Sequence, residues 1–578
     1  MSTESRNPGW GACDGEEHEL LLSLDDPAAM DPGTAGAKAA LLARARAAGL
    51  PVLPGVVVPA FHAAATLTAA RAALTSSGSG GARLSAMAVE VDPALVRALG
   101  RRTGALSLPL IVRSSGVTEG DAHWSGAFSS FCDIGMDDLA TALRGVWASA
   151  FAPHALDRAE ATGTDPAGAG LAVLVQPQVT PSCSGTARVG PSGVVDIVAT
   201  TGPTSLLLHG WERGVRARVG ENDHIDGHDA VGHVGGGILL EVAALARQVR
   251  ALLDCELIEW GEVDGHPLLL QLSAAPLPPA RQAPATPAAL DHPLAMRVAR
   301  LAVRHPGPLG EALVLPWALA SEVLPQVSSA PASVRPLEDL QAASGMAAEL
   351  TAQVWQQPAQ AAATQTARLL RDLRGPEPDP ALEQLRALRP VEPAQAVPVL
   401  SLLAGIVAAA ATQTPLFGHN AAWSLDVEEL GGLFATGAIP HRITAALGPD
   451  RWEPFVHAAV ATHGRQSLGD PAAPGIAAGV LLAVTDVHAP GQPGRRPVVV
   501  AHRPVPALSP LLWSAAALVT TSGNAGAHLI EVARSLGVPA VVHADLAGIA
   551  CDLADIATGP ALLAAVDGDR GAVSIVEA

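Results

Sequence analysis

A chain of 578 residues is well beyond the size at which a single hydrophobic core stops growing, so two to four domains are expected. Apolar residues at 49% can fill sizeable cores, and the composition is globular rather than disordered. A net charge of −19, with no Lys/Arg run to form a local groove, argues against nucleic acid as a partner, so a phosphate-bearing ligand has to be held by a few basic groups inside a pocket.

The first residues, MSTESRNPGWGACDGEEHE, are polar and acidic and lack the basic start and apolar core of a signal peptide. AKAALLARARAAGL predicts a helix stopped by Gly49 and Pro51, followed by a β-branched strand. LPLIVRSS and GLAVLVQPQV predict further strands, with DDLATALRGVWASAF an amphipathic helix between them, so residues 1–275 are mixed α/β. A proline-rich stretch, APLPPARQAPATPAALDHP, reads as a linker. Residues 290–485 follow with helical patterns such as SGMAAELTAQVWQQ and DPALEQLRALRP, and are expected to be a mainly helical domain. The longest apolar stretch, Val397 to Ala411, is interrupted by Pro398 and Ser401 and is too short to span a bilayer, so no membrane association is expected. A second proline-rich segment, HAPGQPGRRP, reads as a linker before residues 495–578, where RRPVVVAHRP, AAALVTT, HLIEVARSLG, PAVVHAD and GAVSIVE alternate strand and helix in a compact α/β domain. The five cysteines are odd in number and scattered without a C-x-x-C pair, which suits a reducing cytoplasm.

The chemistry concentrates in a few places. In LVTTSGNAGAHLIEVARSLGVPAVVHAD a buried strand runs into a glycine turn and His528 opens the next helix, whose free N–H groups and positive dipole end suit an incoming phosphoryl group. Lys38 is the only lysine among 36 basic residues, on a helix near a glycine turn, where it can act as a point charge on phosphates. The loop ENDHIDGHDAVGHVGGG carries His224, His228 and His233 among aspartates, but its glycines and spacing read as a solvated loop.

The segment around His528 resembles the mobile phosphohistidine domain of the phosphoenolpyruvate-utilising enzymes, with Val532, Ala533, Arg534, Gly537, Pro539, Ala540, Val541 and Val542 in register. GAKAALLARARAAGLPVLPGVVV, LIVRSSGVTEGDAHWSGAFSSF and LIEWGEVDGHPLLLQL resemble, in order, three segments of the ATP-grasp module of the phosphoenolpyruvate synthase and pyruvate phosphate dikinase superfamily. The resemblance implies a multidomain α/β protein with an N-terminal ATP-grasp module (1–275), a mainly helical acceptor-binding middle domain (290–485) and a small swivelling phosphohistidine domain (495–578). It implies ATP held by Lys38, Arg113, Gly126, Glu259 and Gln271, Mg²⁺ held by Glu259 and Gln271, and His528 as the phosphoryl carrier. The order of domains is closest to rifampicin phosphotransferase, and the helical segment is too short for the barrel that binds pyruvate. The implied partner is a small hydroxylated metabolite or antibiotic, with Trp317, Trp355, Trp423 and Trp452 as candidate pocket walls. Three departures stand against this: Ser273 replaces the arginine of the family's Q-x-R, Gly120 the acid after Glu119, and Ala527 the hydroxyl residue before the histidine. A catalytically impaired or partner-dependent member of the same superfamily is the alternative they support.

Overall fold

A computed structural model describes residues 21–273 apart from 121, 166, 167 and 169, then 296, 299, 300, 360–375 and 379–386, and finally 453–577 apart from 485–496, 550–552, 559 and 560. The chain divides into two compact units. Unit 1 covers Met1–Ala159, Thr164–Leu208 and Gly214–Pro276; unit 2 covers Glu160–Gly163, His209–Arg213 and Leu277–Ala578.

Unit 1 holds two antiparallel sheets. The first runs β1 (Leu22–Ser23), β2 (Val56–Val58), β5 (Leu171–Pro177), β3 (Leu110–Gly116), β4 (Phe131–Ile134). The second runs β11 (His266–Ser273), β10 (Leu257–Val263), β6 (Cys183–Val189), β7 (Val195–Thr201), β8 (Val215–Val219), β9 (Ile225–Asp226). Helix α1 (Pro32–Ala47) shares one core cluster with Val57 and Leu174 of the first sheet and with Ala187, Ile197 and Trp260 of the second, so it packs against both. Its inward residues are almost all alanine, which lets two sheets approach one helix closely. Asp31 starts the helix by accepting from Gly33 N at 3.2 Å, with Pro32 at the first turn where its missing N–H costs nothing. The opposite face of the first sheet is covered by α2 (Ala64–Ala88), α3 (Pro93–Thr103), α4 (Leu139–Ser149) and the start of α5 (Pro153–Thr162), around the buried Trp147 and Phe151. The stretch expected to be a loop with three histidines instead forms α6 (His228–Val234) before α7 (Gly236–Leu253), because Ala230 is buried against the second sheet's core.

In unit 2 an eight-stranded sheet runs β12 (Arg465–Leu468), β19 (Ala572–Glu577), β18 (Leu562–Asp567), β14 (Ile476–Val484), β15 (Val498–Ala501), β16 (Ala517–Thr520), β17 (Ala540–Val542), β13 (Asp470–Ala473). Its middle strands β14 to β17 are parallel and the flanking pairs antiparallel. This corrects the boundary read from sequence: β12, β13 and β14 precede residue 485 yet belong to the same sheet as the strands after 495. The segment with HAPGQPGRRP therefore joins two neighbouring parallel strands, β14 and β15, rather than two domains. From the expected helical domain, the described parts are α8 (Gln360–Leu373), α9 (Asp379–Arg386) and α10 (Glu453–His463). Val397 to Ala411, the first proline-rich linker and Trp317, Trp355, Trp423 and Trp452 lie outside the described residues. Among the described residues no single helix is long and apolar enough to cross a membrane.

Candidate nucleotide and phosphohistidine sites

In unit 1 the site is assembled around β3, whose sequence LIVRSSG carries Arg113, Ser114 and Ser115 in succession. Gly36 makes the approach of α1 to this strand possible: at φ +74° and ψ 165° it interrupts the helix, and a Cβ there would sit 1.7 Å from Ser115 O. Ser115 Oγ in turn accepts from Ala39 N at 3.0 Å, tying the helix to the strand on both sides of Lys38. Lys38 Nζ is then held 2.5 Å from Glu119 Oε1 and donates to Ser114 Oγ at 3.2 Å. Glu119, almost wholly buried, also accepts from Gly116 N at 2.7 Å, so its carboxylate closes the turn after β3 and fixes the lysine. The departure at Gly120 has a steric counterpart, since a Cβ there would meet Ala37 Cβ at 3.2 Å.

Arg113 reaches a second group of predicted residues. Its Nη1 donates to Leu270 O at 2.5 Å and its Nη2 to Gln271 Oε1 at 2.8 Å, while Glu259 Oε2 lies 3.9 Å from Nη2. Glu259 and Gln271 are direct cross-strand partners on β10 and β11, so an acid and an amide oxygen stand side by side. Arg113 is thereby brought to two residues more than a hundred positions away, and Lys38 bonds to the same strand's next residue, Ser114. A carboxylate beside an amide oxygen is a hard donor pair whose chemistry fits Mg²⁺, and the amide oxygen has a second lone pair beyond the one Arg113 occupies.

Gly126, at φ +63°, lies in a loop between β3 and β4. Two basic side chains of α5 grip that loop: His154 Nε2 lies 3.0 Å from Ala127 O and Arg158 Nη1 donates to Ser125 O at 2.7 Å. Arg158 is fully buried, and desolvation draws its guanidinium down to about 10 against the opposing field of Glu119. Burial, helped by Arg158, likewise lowers the His154 imidazole below its usual range. Neither of these residues is a site candidate by sequence; their spacing of four is the one local signal.

In unit 2 the loop that follows parallel strand β16 leads directly to His528, the first residue of α11 (His528–Ser535). The helix is anchored by buried Leu529, Ile530, Val532 and Ala533, and Ala527 at its cap offers no side-chain hydrogen bond. Asn524 shapes the glycine turn instead, accepting from Gly526 N at 2.8 Å and donating to Glu212 O at 2.7 Å. Gly523, at φ +99°, is required there because a Cβ would meet Pro504 Cδ at 2.3 Å. The half-buried His528 ring meets His209, of the same unit, edge to face with centroids 6.0 Å apart. His543, at the end of β17, takes a positive φ of 54°, and burial lowers its imidazole below the usual range. His209 and His543 are not site candidates by sequence; the pairing of β16 with β17 places His543 beside the loop, and His209 is seen there only by its ring contact with His528.

Two segments match known families. Residues 83–195 match the AMP/ATP-binding domain of pyruvate phosphate dikinase, and residues 494–571 match the mobile domain of the PEP-utilising enzymes. The first span includes Arg113 and Gly126, the second His528. Phosphoenolpyruvate synthase of Aeropyrum pernix is 38% identical over 106 residues, an alignment that takes in 18% of this chain and 12% of that protein.

Proposed function

We propose, because the chain belongs to the phosphoenolpyruvate synthase and pyruvate phosphate dikinase superfamily, that it is an ATP-dependent phosphotransferase working through a phosphohistidine on His528. Unit 1 is read as an ATP-grasp module in which Lys38 and Arg113 meet the phosphates and the Gly126 loop supplies amides. The observation that carries this is the convergence of Arg113, Glu259 and Gln271 from three strands. Mg²⁺, when bound, would neutralise phosphate charge, and Glu259 and Gln271 are the residues to hold it.

In the reaction an imidazole nitrogen of His528 forms a P–N bond to the β-phosphorus as the bond to the AMP oxygen breaks. One water then releases the terminal phosphate, leaving a single phosphoryl group on the ring. An oxygen of the acceptor displaces the imidazole and regenerates it. The net change is ATP, water and acceptor to AMP, phosphate and phosphorylated acceptor, with catalysis supplied by positioning and charge neutralisation. The acceptor class is a small hydroxylated metabolite or antibiotic, held by the mainly helical part of residues 290–485.

Incubation with Mg²⁺ and ATP labelled at the β-phosphate, without acceptor, tests this. Acid-labile label and AMP on the wild type and none on His528→Ala are expected; label on neither, with ATP bound, would overturn the relay. That second outcome would favour a catalytically impaired member, the reading to which Ser273 and the uncapped Ala527 point.

A further inference from the structure

We propose that His154 and Arg158 are positioning residues that aim backbone amides of the Gly126 loop at the phosphates of the nucleotide beyond the α-position; this rests on the nucleotide reading of unit 1. The two side chains lie four residues apart on α5, one above the other on one face. Between them they hold two carbonyls of the loop, Ala127 O and Ser125 O.

A trans peptide sets each C=O antiparallel to the following N–H. With Ser125 O drawn toward Arg158, the Gly126 N–H points away from α5; with Ala127 O drawn toward His154, the Phe128 N–H does the same. The intervening amides are already used, Ser125 N by Ala122 O and Ala127 N by Trp124 O, each at 3.0 Å. Among the described residues no acceptor is recorded for Gly126 N–H or Phe128 N–H. Gly126 takes a left-handed φ of +63°, which a side chain at that position would resist, so the loop can hold this arrangement of carbonyls and amides. The two grips therefore fix which amides are spoken for and which face outward.

The choice of side chains is costly in a way that packing alone does not explain. A fully buried guanidinium carries a large desolvation penalty, and a leucine or glutamine would fill α5's inner face more cheaply. A carbonyl can only accept, so the His154 imidazole carries its proton on Nε2, and its neutral state avoids a second buried positive charge beside Arg158.

Binding of ATP and of AMP to the full-length protein is compared by calorimetry for wild type, His154→Leu, His154→Asn and His154→Gln. Glutamine places an N–H donor near the position of Nε2, whereas asparagine is polar but too short to reach Ala127 O. The expected result is about tenfold weaker ATP binding for His154→Leu and His154→Asn, AMP within twofold, and restored ATP binding for His154→Gln, tenfold being one lost contact of about 1.4 kcal/mol. Equal loss for ATP and AMP, no rescue by glutamine, or unchanged ATP binding in His154→Leu would each overturn the inference while leaving ATP binding by the wild type intact. Absence of nucleotide binding by the wild type itself would remove the nucleotide reading and this inference together.

Discussion

Gly36→Ala separates the two things that bring Lys38 to its place. At φ +74° and ψ 165° Gly36 occupies a backbone region open essentially to glycine alone, so alanine there costs about 1–3 kcal/mol in strain. The new Cβ would also lie 1.7 Å from Ser115 O and 2.3 Å from Ser115 C, both backbone atoms of a buried strand that cannot rotate aside. An ordinary carbon–oxygen contact is about 3.3 Å, so α1 and β3 must separate by roughly 1.5 Å. That movement breaks the bonds from Ala39 N to Ser115 Oγ and from Lys38 Nζ to Ser114 Oγ, about 1 kcal/mol each. The sum is a destabilisation of about 3–5 kcal/mol. Gly49→Ala is the matched control: its φ of +78° is as left-handed, but nothing lies within 4 Å of a Cβ there, so only backbone strain of about 1 kcal/mol remains. Urea unfolding of both variants gives the stability difference, and ATP titration of the folded proteins gives the effect on Lys38. Equal destabilisation by the two substitutions, or full ATP affinity in a folded Gly36→Ala protein, would refute the argument that this contact sets the lysine.

Arg113→Lys keeps the charge but loses the fork that spans Leu270 O and Gln271 Oε1, and ATP affinity measured by calorimetry should fall by about 1–3 kcal/mol. Glu259→Gln removes a carboxylate from the hard donor pair, so the Mg²⁺ concentration supporting half-maximal ATP binding should rise by about tenfold, one contact of roughly 1.4 kcal/mol; an unchanged Mg²⁺ requirement would place the ion elsewhere. Stability should depend on pH through His154 and His457, whose imidazoles burial lowers below the ordinary 6.5. The unfolded chain binds their protons first, so their contribution is complete above pH 6.5 and lost as pH falls from 6.5 through the lowered folded values. Urea midpoints measured from pH 8 to pH 5 should therefore decline below pH 6.5, and His154→Gln should flatten part of that decline.

The features legible in sequence were those written in a single short stretch. A buried strand, a glycine turn and a histidine at a helix start occupy consecutive residues, and the structure keeps them in that form. Strand β3 with Arg113 and the pair β10 and β11 with Glu259 and Gln271 were similarly local. What escaped depended on pairing across long separations. Strand β14, IAAGVLLAV, is rich in alanine and glycine and has little intrinsic strand preference; it is a strand because β15 and β18 lie on either side of it. The edge strands β12 and β13 have four residues each and no alternation to read. Arg158 illustrates the same limit at the site, since an arginine on a ten-residue helix reads as solvated until the fold buries it over the Gly126 loop.

The supporting residues bear on which reading of the departures is stronger. Under the proposed phosphoryl transfer, Ser273 and Ala527 each lack a group that the family pattern carries, one in unit 1 and one in unit 2. Yet unit 1 retains three arrangements that cost stability: a glycine held in a backbone region closed to side chains, a fully buried arginine, and a buried glutamate carboxylate shared by Lys38, Ser114 Oγ and the Gly116 amide. A unit selected for folding alone would replace the buried arginine and glutamate more cheaply with apolar side chains. The costs are concentrated where Lys38 and the Gly126 loop are placed, which favours the proposed nucleotide site under either reading. Transfer is where the two readings part, because the cap of α11 lacks its side-chain bond and Asn524 shapes the turn in its stead. Replacing Ala527 by serine restores a hydroxyl at that cap and should stabilise α11 by about 1 kcal/mol. Faster β-phosphate labelling of His528 in Ala527→Ser would locate the deficit at the histidine, and an unchanged rate would show that Asn524 already does the work of the missing hydroxyl.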